Sequence, residues 1–104
     1  DVQQQLKGMY LDYLKKDSFF FYENDTNTIL KFLGDGKDKD SIAKINMLAE
    51  LLYNDAMLNQ DSEIKPKLLS KALAISLFIK SIDKTYSADR DNRIKQIKES
   101  LKNQ

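Results

Sequence analysis

The side chains able to do chemistry in this sequence are carboxylates, amines, phenols and hydroxyls, because it holds 16 Asp and Glu, 17 Lys and Arg and five Tyr, but no His or Cys. Without imidazole or thiolate, the chain can offer a metal only oxygen ligands, and neither a Ser-His-Asp nor a Cys-His nucleophile can be assembled within it. General acid–base chemistry would fall to Asp, Glu, Lys or Tyr with displaced pKa values, and no pattern marks one. The three glycines, Gly8, Gly34 and Gly36, fit neither the GxxxxGK(S/T) nor the GxGxxG frame, so no phosphate-cradling loop is present. Asp35, Asp38 and Asp40 crowd the stretch 34–40, but the D-x-(D/N)-x-(D/N)-G order and the closing Glu of a calcium loop are missing. That stretch reads as a solvated loop. The expectation is a protein that is not an enzyme, with no catalytic residue, metal ligand or cofactor site.

What remains for function is apolar surface, and its placement depends on the elements that carry it. With 104 residues the chain is one domain's worth. Leu 14, Ile 9 and Lys 15, against one Val, three Thr and one Pro, favour helices over sheet. Val2, Leu6, Met9, Tyr10 and Tyr13 repeat at the 3–4 spacing of a helical face. Phe19, Phe20, Phe21 and Tyr22 follow as four consecutive aromatics, which no single amphipathic face can hide. They either plug the core from several sides or form an exposed patch awaiting a partner. Thr28 to Leu33, closed by Gly34, reads as a short helix.

Asp40 or Ser41 can cap a long helix running to about Asn59. At 100° per residue, Ile42, Ile45, Ala49, Leu52, Tyr53 and Ala56 share one face, while Met47, Leu51 and Leu58 form a second stripe nearly opposite, as in a helix sandwiched between neighbours. Asp61 or Ser62 opens the next helix, with Pro66 in its first turn. From Leu68 to Ile82 this helix is apolar almost all round. Its strip of small residues, Ser70, Ala74 and Ser81, predicts that Ala74 sits in the tightest interhelical contact. Ser87 opens a terminal helix with Ile94, Ile97 and Leu101 as a seam. The expected fold is all-α, a bundle of four to five helices in a single domain: residues 1–34 with the aromatic segment, a loop at 35–40, a long helical hairpin at 41–84, and a terminal helix at 87–104.

The hairpin at 41–84 resembles a tetratricopeptide-type helical pair. Ile45, Leu48, Ala49 and Leu52 fall at the spacing of that repeat's W-x2-L-G-x2-Y positions, and Ala74, Phe78 and Ser81 at its A-x3-F-x2-A spacing. Ala49 to Ala74 spans 25 residues where the repeat needs about a dozen, so the helices resemble those of elongated relatives, as in a bacterial tetratricopeptide-like domain. The resemblance implies a partner-binding scaffold and names no ligand.

Charge supplies the competing reading. Residues 1–61 carry a net −4 and residues 62–104 a net +5. A basic half can mean nucleic acid, although Asp91 and Glu99 interrupt it and only Arg90 and Arg93 are arginines. The favoured reading is therefore a protein–protein interaction module, by partner capture or self-association. Its candidate binding residues are Met47, Leu51, Leu58, Phe19, Phe20, Phe21 and Tyr22. The alternative is a nucleic-acid accessory using the basic half. No apolar run approaches the roughly 20 residues of a membrane span. The chain begins at Asp1 and so reads as processed or trimmed, which leaves a secreted or periplasmic location open beside the expected bacterial cytoplasm.

Overall fold

The computed structural model describes residues 1–103, folded into six helices and no strand: α1 (Val2–Leu14), α2 (Ser18–Glu23), α3 (Thr26–Phe32), α4 (Lys39–Leu58), α5 (Ile64–Ile82) and α6 (Ala88–Lys102). The all-α class is as expected. The count is one more than the expected range because the aromatic run forms a separate two-turn helix, α2. Antiparallel α4 and α5 are the middle of the molecule; α1 packs on α4, α6 packs on α5, and α3 touches α5. At 20 residues α4 is about 30 Å long, close to the longest dimension of the fold, 35 Å.

Many of the aspartates turn out to be helix caps. The side chains of Asp1, Asp17, Asp25 and Asp38 each accept a hydrogen bond from the backbone N–H three residues on, and so does that of Ser87. Each satisfies an N–H that the first helical turn leaves unpaired, an effect of about 1 kcal/mol. Asp38 is thus the cap of α4, where Asp40 or Ser41 was expected. Asp40 instead pairs with Lys44 one turn on. The buried Ser41 donates its hydroxyl to Leu33 O and accepts from Gly36 N. Gly34, Asp35 and Gly36 all have positive φ, so this connection turns through three left-handed residues in succession. A Cβ at Gly36 would sit 2.3 Å from Ile82 Cδ1, which explains glycine there twice over.

The buried face of α4 is Ile45, Leu48, Ala49, Leu52, Asp55 and Ala56, with Leu51 at its shoulder. It meets Leu68, Leu69, Ala72, Ile75, Ser76 and Ile79 of α5. The small-residue strip is placed otherwise than expected: Ser70, Ala74 and Ser81 are exposed. On α5 they lie about 180° from Ala72 and Ile79, and the small residues that α5 buries are Ala72 and Ser76. Ala72→Leu should therefore overpack the hairpin and cost about 1–3 kcal/mol, whereas Ala74→Leu should stay within about 0.5 kcal/mol. Urea midpoints of the two variants check this, and the opposite ranking would return the strip to the interface.

Candidate functional site

On α1 the buried side chains are Leu6, Tyr10 and Leu14, a run of i, i+4 steps. Tyr10 is fully buried and stacks on Phe21, with ring centroids 5.6 Å apart. Its hydroxyl donates to Asp55 Oδ2 at 3.0 Å, and Tyr22 donates to the same oxygen from α2. Asp55 is completely buried, and its Oδ1 has no hydrogen-bond partner. Burial raises the pKa of both phenols above the ordinary tyrosine value, with the Asp55 carboxylate adding to the shift. One carboxylate on α4 thus ties α1 and α2 to the hairpin. A second polar tie comes from α5, where Lys71 Nζ donates to the carbonyls of Phe21, Tyr22 and Asn24 at 2.8–2.9 Å. These three bonds use every N–H of the ammonium and hold the C-terminal end of α2, where a cation is favoured. Burial lowers the Lys71 pKa.

These ties divide the expected binding residues into two sets. Phe21 is core, and Phe20 and Tyr22 are half-buried. Lys16 Nζ sits 5.4 Å and 5.5 Å from the ring centroids of Phe20 and Phe32. Only Phe19 is largely exposed, at the lip of a shallow groove with Tyr22, Ile64 and Leu68. Leu51 is also core, whereas Met47 and Leu58 are exposed. The stripe of Met47, Leu51 and Leu58 is not opposite the core face of α4. It lies on that face's shoulder, and α1 packs beside it, covering Leu51. Phe21 and Leu51 are therefore withdrawn as surface residues.

A groove remains where α1 and α4 meet. Leu6 and Leu51 form its floor, and Met9, Tyr13 and Met47 stand on its walls, 40%, 51% and 36% exposed, with Glu50 and Asn54 at one edge. Met9 and Tyr13 share the 3–4 apolar spacing of the first helix. The core contact instead uses the flank centred on Tyr10, which leaves these two beside the groove. Helical register continues each wall, through Val2 on α1 and Leu58 on α4, both exposed.

The two arginines are on neither surface. Arg90 is buried and bonds Asp83 Oδ2 at 3.1 Å and Thr85 O at 2.9 Å, closing the α5–α6 connection. That carboxylate's pKa is lowered, first by the backbone N–H of Thr85 and then by Arg90. Arg93 is buried as well, with Nε donating to the buried Ser76 hydroxyl at 3.2 Å. Reading α6 as a narrow seam missed both, although Arg90 and Arg93 project onto the same 100° of helix as Ile94, Ile97 and Leu101. Among the described residues there is no group of three or more His, Cys, Asp or Glu that could hold a metal ion. No described helix is long and apolar enough to cross a membrane. No family model, curated protein or solved structure matches the chain.

Proposed function

We propose that this chain is a non-enzymatic protein-binding module and that the groove between α1 and α4 receives the partner. One observation carries the reading: Met9, Tyr13 and Met47 line a single depression with their apolar surface in water, although α1 is already docked. Flexible Met side chains around an aromatic ring suit an adaptable apolar contact. The floor is rigid, because Leu6 and Leu51 belong to the core on either side of the Tyr10–Asp55 tie. An elongated helical hairpin of tetratricopeptide-like kind is a reasonable frame for such a role. In support, Ile45, Leu48, Ala49 and Leu52 occupy the expected buried positions of α4. The exposed Ala74 and Ser81 of α5 depart from that pattern. The nucleic-acid alternative loses its best side chains, since both arginines are buried.

The test uses Met9→Lys combined with Met47→Lys. Both side chains already reach solvent, so the isolated variant should melt within a few degrees of the parent. A photo-crosslinker at position 47 should capture a discrete protein adduct, either a second copy or a partner. A crosslinker at Lys84, in the connection between α5 and α6, should not, and the double variant in trans should not compete for the adduct. Identical adducts from positions 47 and 84, or competition as strong from the double variant as from the parent chain, would remove the groove from consideration.

A further inference from the structure

Next to the α1/α4 groove, and sharing Glu50 and Asn54 with it, lies a second groove on α4. It runs between α4 and α6, has a volume of about 290 Å³, and is lined by Glu50, Tyr53, Asp89, Asn92, Arg93 and Gln96 among others. Pockets for small ligands run from roughly 300 to 1,000 Å³, so this one suits a molecule much smaller than a nucleotide. Most of its lining residues carry polar groups, unlike Leu6, Met9, Met47 and Leu51 of the α1/α4 groove, and the Arg93 guanidinium lies among them.

The Arg93 side chain is only 7% exposed, yet its hydrogen bonding is incomplete. Nε donates to Ser76 Oγ, and Nη2 reaches Asn46 Oδ1 at 3.4 Å, a long bond. Nη1 makes no hydrogen bond; it faces Glu50 Oε1 at 3.9 Å, beyond bonding distance, and Glu50 is 64% exposed. A guanidinium offers five N–H donors in a planar fork. Here one is well used and one weakly used, and no protein acceptor among the described residues takes the others. The open part of the fork has the geometry that a carboxylate fills with two parallel hydrogen bonds.

A simple anion is not the best match. Glu50 and Asp89 line the same groove and would repel it, just as Arg93 would repel a simple cation. A molecule carrying both charges a few bonds apart meets both. We propose that the α4/α6 groove binds a free α-amino acid, its carboxylate on the Nη edge of Arg93 and its ammonium between Glu50 and Asp89. The side-chain amides of Asn92 and Gln96 and the Tyr53 ring line the remaining space. In this arrangement Glu50 exchanges its loose approach to Arg93 for the ligand's ammonium. The site adjoins the α1/α4 groove at Glu50 and Asn54 but takes a ligand of different chemistry.

The Arg93 Nε–Hε resonance in a proton–nitrogen correlation spectrum reports on this fork directly. The twenty L-amino acids are titrated singly at fixed pH and ionic strength, with acetate and methylammonium as half-ligands. At least one amino acid should shift the resonance saturably, with a Kd below about 1 mM, and each half-ligand should bind at least about tenfold more weakly. Asp89→Asn should weaken the amino acid about tenfold. The fold should stay intact, because Asp89 is exposed and the Ser87 cap remains. Arg93→Lys should abolish the interaction, and since this variant can also loosen α6, Asp89→Asn carries the decision. Three outcomes would overturn the proposal: no saturable shift with any amino acid by about 10 mM, acetate binding as well as the amino acid, or unchanged affinity in Asp89→Asn.

Discussion

Asp55→Ala is expected to remove about 2–4 kcal/mol of stability, a large share of the roughly 5–15 kcal/mol that a domain possesses. The substitution deletes the acceptor shared by Tyr10 and Tyr22. Tyr22 is half-exposed and can turn its hydroxyl to water. Tyr10 is fully buried and cannot, so its O–H is left unpaired at a cost of about 1–3 kcal/mol. The missing carboxyl also leaves a small cavity beside the Tyr10–Phe21 stack. One effect runs the other way: Asp55 Oδ1 already lacks a partner, and removing it relieves that desolvation. This is why the expected loss falls below the 3–5 kcal/mol found when a fully bonded buried charge loses its partner. Asp55→Asn keeps an acceptor of the same shape and should cost less than Asp55→Ala. Urea unfolding of the three proteins measures the ranking. An Ala variant within about 0.5 kcal/mol of the parent would show that the shared carboxylate does not hold the N-terminal helices.

The α4 core was legible because apolar periodicity sets it: Ile45, Ala49, Leu52 and Ala56 are buried as the spacing requires. Less legible was which flank of a broadly apolar helix its neighbour would choose. On α1, the angle between Tyr10 and Met9 is one residue's 100°, and apolar spacing permits either as the centre. The choice is made by Asp55, 45 residues away, which offers Tyr10 a partner that Met9 could not use. The same reasoning covers α5, where an almost continuous apolar surface gave no preferred side and the small strip was assigned inward. Charged residues were the other gap. Asp55, Arg90 and Arg93 read as surface by residue type, yet each projects onto its helix's buried face, and polarity concealed what position displayed. The candidate grooves were only half legible for a related reason. Met47 and Leu58 are exposed and Leu51 is not, because a groove depends on how far α1 extends over a stripe, and a periodicity contains no such distance.

Raising the pH above 10 should destabilise the fold steeply, and the steepness should depend on Tyr10. Both Tyr10 and Tyr22 have folded-state pKa values raised above 10, by burial first and by Asp55 second. A group whose pKa is raised on folding contributes stability that is fully present below its unfolded pKa and is lost as pH climbs towards the folded value. Between those limits the unfolded chain has released the phenolic proton and the folded chain has not. Each tyrosine so held lowers the unfolding free energy by about 1.4 kcal/mol per pH unit. Lys71 acts in the opposite sense over a lower window. Its folded pKa is depressed by burial, so its desolvation penalty disappears as pH rises through that value towards 10.5. A small gain in stability below pH 10 followed by a steep loss above it is the expected profile. Tyr10→Phe removes one of the two phenols while keeping the ring against Phe21. Its baseline should drop by about 1 kcal/mol for the lost hydrogen bond. Its alkaline limb should then be shallower than the parent's by up to about 1.4 kcal/mol per pH unit. Urea midpoints at closely spaced pH values from 8 to 11 measure both limbs. Parallel limbs in parent and variant would mean that Tyr10 ionises as freely in the folded chain as in the unfolded one, and the buried tie to Asp55 would have to be abandoned.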